Sequence, residues 1–460
     1  MSAWPLRILV YGAGEAINGG GALDVQIADQ LSRLQTVATN RIVAAAAQLD
    51  SSSAESIRFV LDPAGGQPLE PVGETNSGDP AELARFVDWA VSLLPADRTV
   101  LVLSGHGTGW LDTLAAEIVG TRLARPPVRH ANTIFSPRRA PLRVGPETRA
   151  ILFDESSHDF LSNAELAAAC EQVAGTLGHP IDALVMDACL MMTWEIAHEL
   201  VGTASTVVGS VDELSAAGID LSGPAYALST HFEATPAGIA ALFPAHFAPQ
   251  APFDSCVAVD LSSTDWLTAI DHFAALSSRL AAWVEADLPR ALRVKDAFTA
   301  ASASITKFRR SGIADVAALL GAVAAISGLP AEVAEIAGGT LDALRRCVLG
   351  KSTGADYAGA LGISIFVPDS EHSFNRNIAE YNRLRFSSRT GWGALLEAVF
   401  RPGVTRTPAP RGVEYRVTLR GVDLKDAVRS DIGAALQRVA AEKLAEHNHP
   451  PEPPPFAWAL

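Results

Sequence analysis

The sequence predicts an α/β fold of three layers, α-β-α, with a mostly parallel central sheet. Three observations carry this. Short runs rich in Val, Ile and Leu recur along the chain, each too continuous for a sheet with one wet face. Ala-rich segments with helical start and stop signals lie between them. The rhythm of strand and helix alternates, which is the pattern of a doubly wound sheet covered on both sides.

The runs are RILVYGAG (7–14), IRFVLD (57–62), TVLVLSG (99–105), AILFD (150–154), DALVMDAC (182–189) and STVVGS (205–210). DPAELARFVDWAVSLL reads as a helix with Asp79 as its N-cap and Pro80 in the first turn. SNAELAAACEQVAGTLG starts at Ser162 or Asn163 and stops near Gly178. CVAVDL (256–261) is a further strand, two or three helices fill Thr264 to Leu349, and LGISIFVP (361–368) is a late strand. The expected organisation is an α/β core over 1–254, a helical region and closing strand over 255–400, and an extension over 401–460. That extension holds a strand-like EYRVTLRGV, an amphipathic SDIGAALQRVAAEKLAEH and a proline-rich tail.

With 460 residues, 48% hydrophobic and 19% charged, the chain can bury a sizeable core. Its net charge of −15 argues against a general binder of nucleic acid or anionic membrane. The same charge suits a protein that handles basic substrates. MSAWPLRILVYGAG has one arginine followed by a strand-like run, so neither a signal peptide nor a membrane span is expected. The four cysteines, Cys170, Cys189, Cys256 and Cys347, form no CxxC pair, which fits reduced cytoplasmic thiols.

One segment opposes the rest. Residues 120–149 hold seven arginines, five prolines and a single acid, a long insertion of the kind that is functional or disordered.

Several motifs fail on inspection. YGAGEAI lacks the third glycine of a dinucleotide fingerprint, where Ile17 stands. LGKST (349–353) resembles the end of a P-loop, but Arg345 occupies the first glycine position. His198-Glu199 lacks a second zincin histidine, no GxSxG elbow exists, and His447 with His449 is too little for a metal. No metal site is read from these residues.

His106 and Cys189 remain. Each ends a buried strand at its carboxyl end, where open α/β sheets gather their ligands. Singly, such a histidine or cysteine is more often a packed structural residue. Their settings differ from that pattern. Gly105 and Gly107 free the backbone around the imidazole, and the Gly107 amide could donate to an oxyanion. LMMTWEIAHEL after Cys189 reads as a helix whose positive end would favour the thiolate. A nucleophile and a proton carrier together suffice for acyl transfer.

At these residues the chain resembles the clostripain family of cysteine peptidases, which has the caspase–gingipain fold. The matching pieces run from ETNSGDPAELARFVDWAVSLLPADRTVLVLSGHGTGW through FDESSHDFLSNAELAAAC and DALVMDACLMMTWEIAHEL. They continue in VVGSVDELSAAGIDLSG, LGISIFVP and GWGALLEAVF. The resemblance implies a caspase-like sheet and a catalytic pair in which His106 protonates the leaving amine and Cys189 forms a thioester. It implies an oxyanion hole from the Gly107 and Cys189 amides. Asp187 matches the family's aspartate that lines a pocket for an arginine or lysine side chain. A carboxylate facing a guanidinium gives strong, geometry-selective recognition. The family's second acidic pocket residue falls near SAAG (215–218), so Asp212 and Glu213 stand in for it here.

Cleavage in a connecting segment activates many peptidases of this fold. Arg138, Arg139 and Arg143 in the 120–149 insertion are the expected cut sites, by the protein itself or by an upstream protease. No cofactor is required; calcium is an expectation only because some family members use it, since no EF-hand spacing is present. The expected function is an Arg/Lys-directed cysteine endopeptidase made as a zymogen within a regulatory or defence cascade. Its expected partners are peptides with exposed Arg or Lys. Two alternatives stay open: a catalytically silent caspase-like scaffold, and a same-fold peptidase with a non-basic preference.

Overall fold

In the computed structural model, strand runs and alanine-rich helices assemble around one nine-stranded sheet. The structure describes residues 4–14, 23–37, 42–51, 54–61, 68–110, 150–154, 156–157, 159–232, 235–285, 287–304, 312–401, 404–409 and 412–417. In chain order the strands begin with β1 (Trp4–Ala13), β2 (Val43–Ser51), β3 (Ala54–Val60), β4 (Pro68–Gly73) and β5 (Ala96–Ser104). Next come β6 (Ala150–Asp154), β7 (Asp159–Ser162), β8 (Ile181–Asp187), β9 (Ala204–Gly209) and β10 (Ser255–Asp260). The last are β11 (Ile313–Asp315), β12 (Val348–Thr353), β13 (Ser364–Phe366), β14 (Val404–Ala409) and β15 (Gly412–Val417).

The large sheet has the order β12-β10-β9-β8-β5-β1-β2-β3-β4. Its middle, β9-β8-β5-β1-β2, is parallel throughout. Antiparallel strands flank that middle on both sides. Alternate residues of the parallel strands feed two cores. Leu9, Tyr11, Leu101, Leu103, Leu184 and Met186 face one side, and Ile8, Val10, Val100, Val102, Ala183 and Val185 face the other. Both faces being dry is why these strands read as unbroken apolar runs. The first core takes Phe86, Leu166 and Phe273 from the helices Pro80–Leu93, Asn163–Leu177 and Thr264–Glu285. The second takes Ile27, Ala225 and Ile239 from Asp24–Val37, Ser222–Thr230 and Pro236–His246. The three-layer α-β-α fold read from the sequence is the fold observed.

Local signals explain the helix ends. Asp79 accepts a hydrogen bond from the Ala81 amide, with Pro80 beginning the helix. Ser162 and Glu165 form a capping box, and Gly178 closes that helix at φ 76.

Some expectations are corrected. AILFD is not a strand of the large sheet: β6 pairs with β7 in a separate hairpin. LGISIFVP likewise supplies β13 to a two-stranded sheet with β11. Three strands unread in the sequence enter the large sheet: β2, whose VAAAAQLDS has the alanine content of a helix, β4, whose PLEPVG holds two prolines, and β12, whose VLGKST has the polar content of an edge. Among the described residues four helices, not two or three, lie between Thr264 and Cys347: Thr264–Glu285, Leu288–Ser304, Val316–Ala324 and Ala331–Cys347. β10 and β12 join the same sheet as β1, so residues 255–400 share the core of the first 254. β14 and β15 pair with each other. The arginine-rich insertion, with Arg138, Arg139 and Arg143, and the segment 418–460 lie outside the described residues. Among the described residues no helix is long and apolar enough to cross a membrane.

Replacing Ser162 by Ala removes an acceptor from the capping box of Asn163–Leu177. Stability is expected to fall by about 1 kcal/mol, read as a lower urea midpoint with unchanged slope.

Candidate active site

The site follows from one register. β5 and β8 run parallel, and their last paired rung joins Ser104 to Asp187. His106 and Cys189 each lie two residues beyond that rung, so equal offsets bring them to the same rim. The Gly105 amide donates to the Asp187 carbonyl at 3.2 Å, which extends the pairing one step further. Both side chains line one cavity of about 290 Å3, together with Asp187, Leu214, Ser215 and Gly218.

The two strand exits pack backbone to backbone. A Cβ on Gly107 would stand 2.6 Å from the Cys189 carbonyl oxygen, closer than side-chain carbon and backbone oxygen approach. Only glycine lets the histidine loop lie this close to the cysteine turn. Leu190, directly after the cysteine, has φ 64, a left-handed conformation that costs of order 1–3 kcal/mol for a non-glycine residue. The surrounding backbone holds it there: Leu190 N–H donates to the Asp212 carbonyl at 2.9 Å and Met192 N–H to the Ser210 carbonyl at 2.8 Å.

Each exit is also continued by a small sheet. The Leu152 amide donates to the His106 carbonyl at 3.0 Å, and Ile151 of β6 bridges Gly107. Ser364 of β13 bridges Thr193, its amide donating to the Met192 carbonyl at 3.1 Å. Below these lies an aromatic floor in which the Trp110 ring meets Phe366 at 4.1 Å and Tyr381 at 5.0 Å. The corrected strands, β6 and β13, therefore act as braces for the two exits.

The loop from Val211 to Ile219 closes the cavity and is tied at several points. Asp254, fully buried, accepts from the Ser215 amide and hydroxyl at 2.8 Å each, and from the Gln250 and Ala251 amides at 2.8 and 2.9 Å. The Leu214 amide, held in place by these contacts, donates to Cys189 Sγ at 3.3 Å. Among the described residues the Gly107 and Cys189 amides donate to no protein group.

Electrostatics keep the resting pair neutral. Burial raises the Cys189 thiol to about 11, and Glu213, Asp212 and Asp187 push the same way against the Leu214 hydrogen bond. Burial lowers His106 below its ordinary value, and its Nε2 has no partner among the described residues. The expected help from a helix N-terminus is corrected. The helix begins only at Trp194, capped by Thr193, and spans six residues. The chain between cysteine and helix is spent on the left-handed turn at Leu190, which moves the helix end away from the sulfur.

The candidate pocket residues separate. Asp187 lines the cavity, where its buried carboxylate accepts from Ser104 Oγ at 2.8 Å and from the Ile219 amide at 2.7 Å. Its desolvation raises its pKa from the ordinary value. Asp212 is fully buried, accepts from the Tyr357 hydroxyl, and does not line the cavity. Glu213 does not line it either. Of the three acidic candidates, Asp187 alone is among the residues that line the cavity, and the Asp212 carboxylate is taken up by Tyr357. The sequence reading also missed Leu23 and, on the helix Asp24–Val37 that follows it, Gln26, Ile27 and Gln30, which line the same cavity. Among the described residues no group of three or more His, Cys, Asp or Glu is placed to hold a metal ion.

The raised thiol gives a direct prediction. Thiolate is scarce below the raised pKa, so iodoacetamide should label Cys189 at pH 8 roughly a hundredfold more slowly than an ordinary thiol. Its rate should keep rising toward pH 11, followed by peptide mass spectrometry.

Comparisons with known proteins extend this geometry. Residues 141–308 match the model of the clostripain family, a stretch that holds Asp187, Cys189 and the closing loop but not His106. Clostripain from Hathewaya histolytica is 31% identical over 131 residues, which is 27% of this chain and 19% of that protein. The match thus spans about a fifth of the length of that curated relative. Among solved structures, an inactive zymogen C11 protease from Parabacteroides distasonis aligns with a TM-score of 0.59 at 17% identity, covering 85% of this chain and 99% of that one. A secreted C11 cysteine protease from Bacteroides thetaiotaomicron aligns with a TM-score of 0.58 at 12% identity, covering 85% and 100%. Residues 141–308 are thus similar to the clostripain family, and the fold of the chain is similar to that of solved C11 proteases.

Proposed function

We propose that this chain is a cysteine endopeptidase that cleaves after basic residues. The observation that carries the proposal is that His106, Cys189 and Asp187 line one cavity beyond the Ser104–Asp187 rung. Sγ of Cys189 attacks the scissile carbonyl carbon and its proton passes to His106. The oxygen takes up the negative charge within reach of the Gly107 and Cys189 amides. His106 then gives the proton to the leaving amine, and the remaining thioester is hydrolysed by water. Asp187 supplies the negative charge for a cationic side chain and repels an acidic one.

The resting site supports a zymogen reading. A thiol at about 11 beside a histidine shifted down holds its proton, and the Leu214 amide already engages the sulfur. We place the activating cut in the 120–149 insertion, at Arg138, Arg139 or Arg143, made by the protein itself or by an upstream protease. The four cysteines are free, which supports a reducing, cytoplasmic address, and the reading sets the protease in a regulatory or defence cascade there. The reading requires no cofactor, and cleavage measured with and without a chelator decides whether calcium takes part.

Fluorogenic peptides ending in Arg, Lys, Asn or Asp test the proposal after limited proteolytic activation. Arg and Lys peptides should be cut, and Cys189→Ala or His106→Ala should lower kcat/KM by roughly a thousandfold or more. No hydrolysis of any peptide would favour the scaffold, and hydrolysis after Asn or Asp would favour the non-basic alternative. For processing, wild-type and Cys189→Ala protein are compared on a denaturing gel. Self-cutting predicts fragments from the first alone, and identical bands exclude it.

A further inference from the structure

The loop from Val211 to Ile219 meets the sulfur at one residue. The Leu214 amide donates to Cys189 Sγ at 3.3 Å, and the thiol in turn reaches the Leu214 carbonyl at 3.9 Å. The sulfur thus lies between the two backbone groups of a single residue, one that also lines the cavity.

Hold points flank Leu214 on both sides. Before it, the Val211 amide donates to Ser255 Oγ at 3.0 Å, and the buried Asp212 carboxylate accepts from the Tyr357 hydroxyl. After it, Asp254 accepts from the amide and the hydroxyl of Ser215. Tyr357 and Asp254 belong to one platform at the β12 end of the large sheet. Ser255 of β10 pairs with Thr353 of β12, and the short turn Ala355–Tyr357 follows directly. The Gly354 amide donates to the Asp254 carbonyl at 2.8 Å, and the Asp356 amide to the Pro252 carbonyl at 2.9 Å. Gly354 permits this approach, since a Cβ there would stand 2.5 Å from the carbonyl oxygens of Ala251 and Pro252.

We propose that residues 212–215 form a strap across the Cys189 thiol, and that Tyr357 and Asp254 are the two locks that hold it closed. This rests on Cys189 being the nucleophile of the proposed peptidase and adds how the resting sulfur is restrained. Neither Tyr357 nor Asp254 is among the residues that line the cavity, so both act through the strap.

Opening the strap has opposing effects on the thiol, and their sizes decide the sign. The titratable groups around the sulfur are His106 past β5, Asp187 at the end of β8, and Asp212 and Glu213 on the strap. Burial is the largest cause of the raised thiol, and Glu213 and Asp212 add to it against the Leu214 amide. A strap that swings away admits water and removes those two carboxylates, which together outweigh the lost amide. Release therefore makes the thiol more acidic and more reactive.

Asp254→Asn is a narrow test of one lock. With its remaining oxygen toward Ser215 Oγ, Gln250 and Ala251, its NH2 group faces the Ser215 amide, donor against donor. Tyr357→Phe removes only the hydroxyl of the other lock. Full-length wild type and both variants are treated with iodoacetamide at pH 8, and each cysteine is followed by peptide mass spectrometry. Each variant should speed labelling of Cys189 roughly tenfold, the gain in thiolate that one pKa unit brings. Cys170, Cys256 and Cys347, all buried, report general loosening and should keep their wild-type rates. Cys189 labelling that is unchanged or slower in both variants overturns the inference. So does acceleration shared by all four cysteines, because the two residues would then be ordinary core contacts. Faster labelling of Cys189 alone, in a protein that cuts no peptide, would keep the strap and remove the peptidase reading.

Discussion

The pairing of β5 with β8 is the constraint on which the site depends. A parallel ladder ends at Ser104 and Asp187, and Ser104 Oγ reaches across that rung to the Asp187 carboxylate. Equal chain lengths past the rung then fix an imidazole and a sulfur at one margin. A slip of one residue would turn every side chain of β8 to the opposite face, sending Val185 and Met186 into each other's cores. Site geometry and core packing therefore enforce the same register.

Beyond the rung, the backbone does most of the positioning. The two exits touch through Gly107 and Cys189, the two-stranded sheets that hold β6 and β13 extend them, and Asp254 gathers the closing loop with one carboxylate. Such carboxylates work through hydrogen bonds from amides, each stronger than a neutral pair, and here they add to the burial of Val211 and Ile219 in ordering the loop. The same loop brings the Leu214 amide to the sulfur while Asp212 and Glu213 add negative potential nearby, which holds the proton on the thiol.

Much of this was legible in the sequence. Continuous apolar runs such as TVLVLSG and DALVMDAC gave the parallel middle, because both faces of those strands are dry. Asp79, Ser162 and Gly178 marked helix ends through local hydrogen bonding that needs no tertiary context. His106 and Cys189 stood out as chemistry at strand ends. What stayed hidden depends on long-range placement. VAAAAQLDS carries helical composition but is held as a strand by two neighbours, β1 and β3. Asp212 looked available from its loop context, yet Tyr357, distant in the chain, buries it. Gln30 did leave a trace, a polar residue on an apolar stripe, but only the fold shows that it lines the cavity with Asp187.

The cavity lining on the helix Asp24–Val37 separates two kinds of information along the chain. The sulfur and its aspartate lie within one short span, while further lining comes from a helix more than a hundred residues earlier. Substitutions on that helix can retune what the cavity accepts and leave the reacting atoms untouched. Divergence of ligand preference among proteins with this architecture would then be written near the amino terminus, far from the stretch by which such chains are recognised.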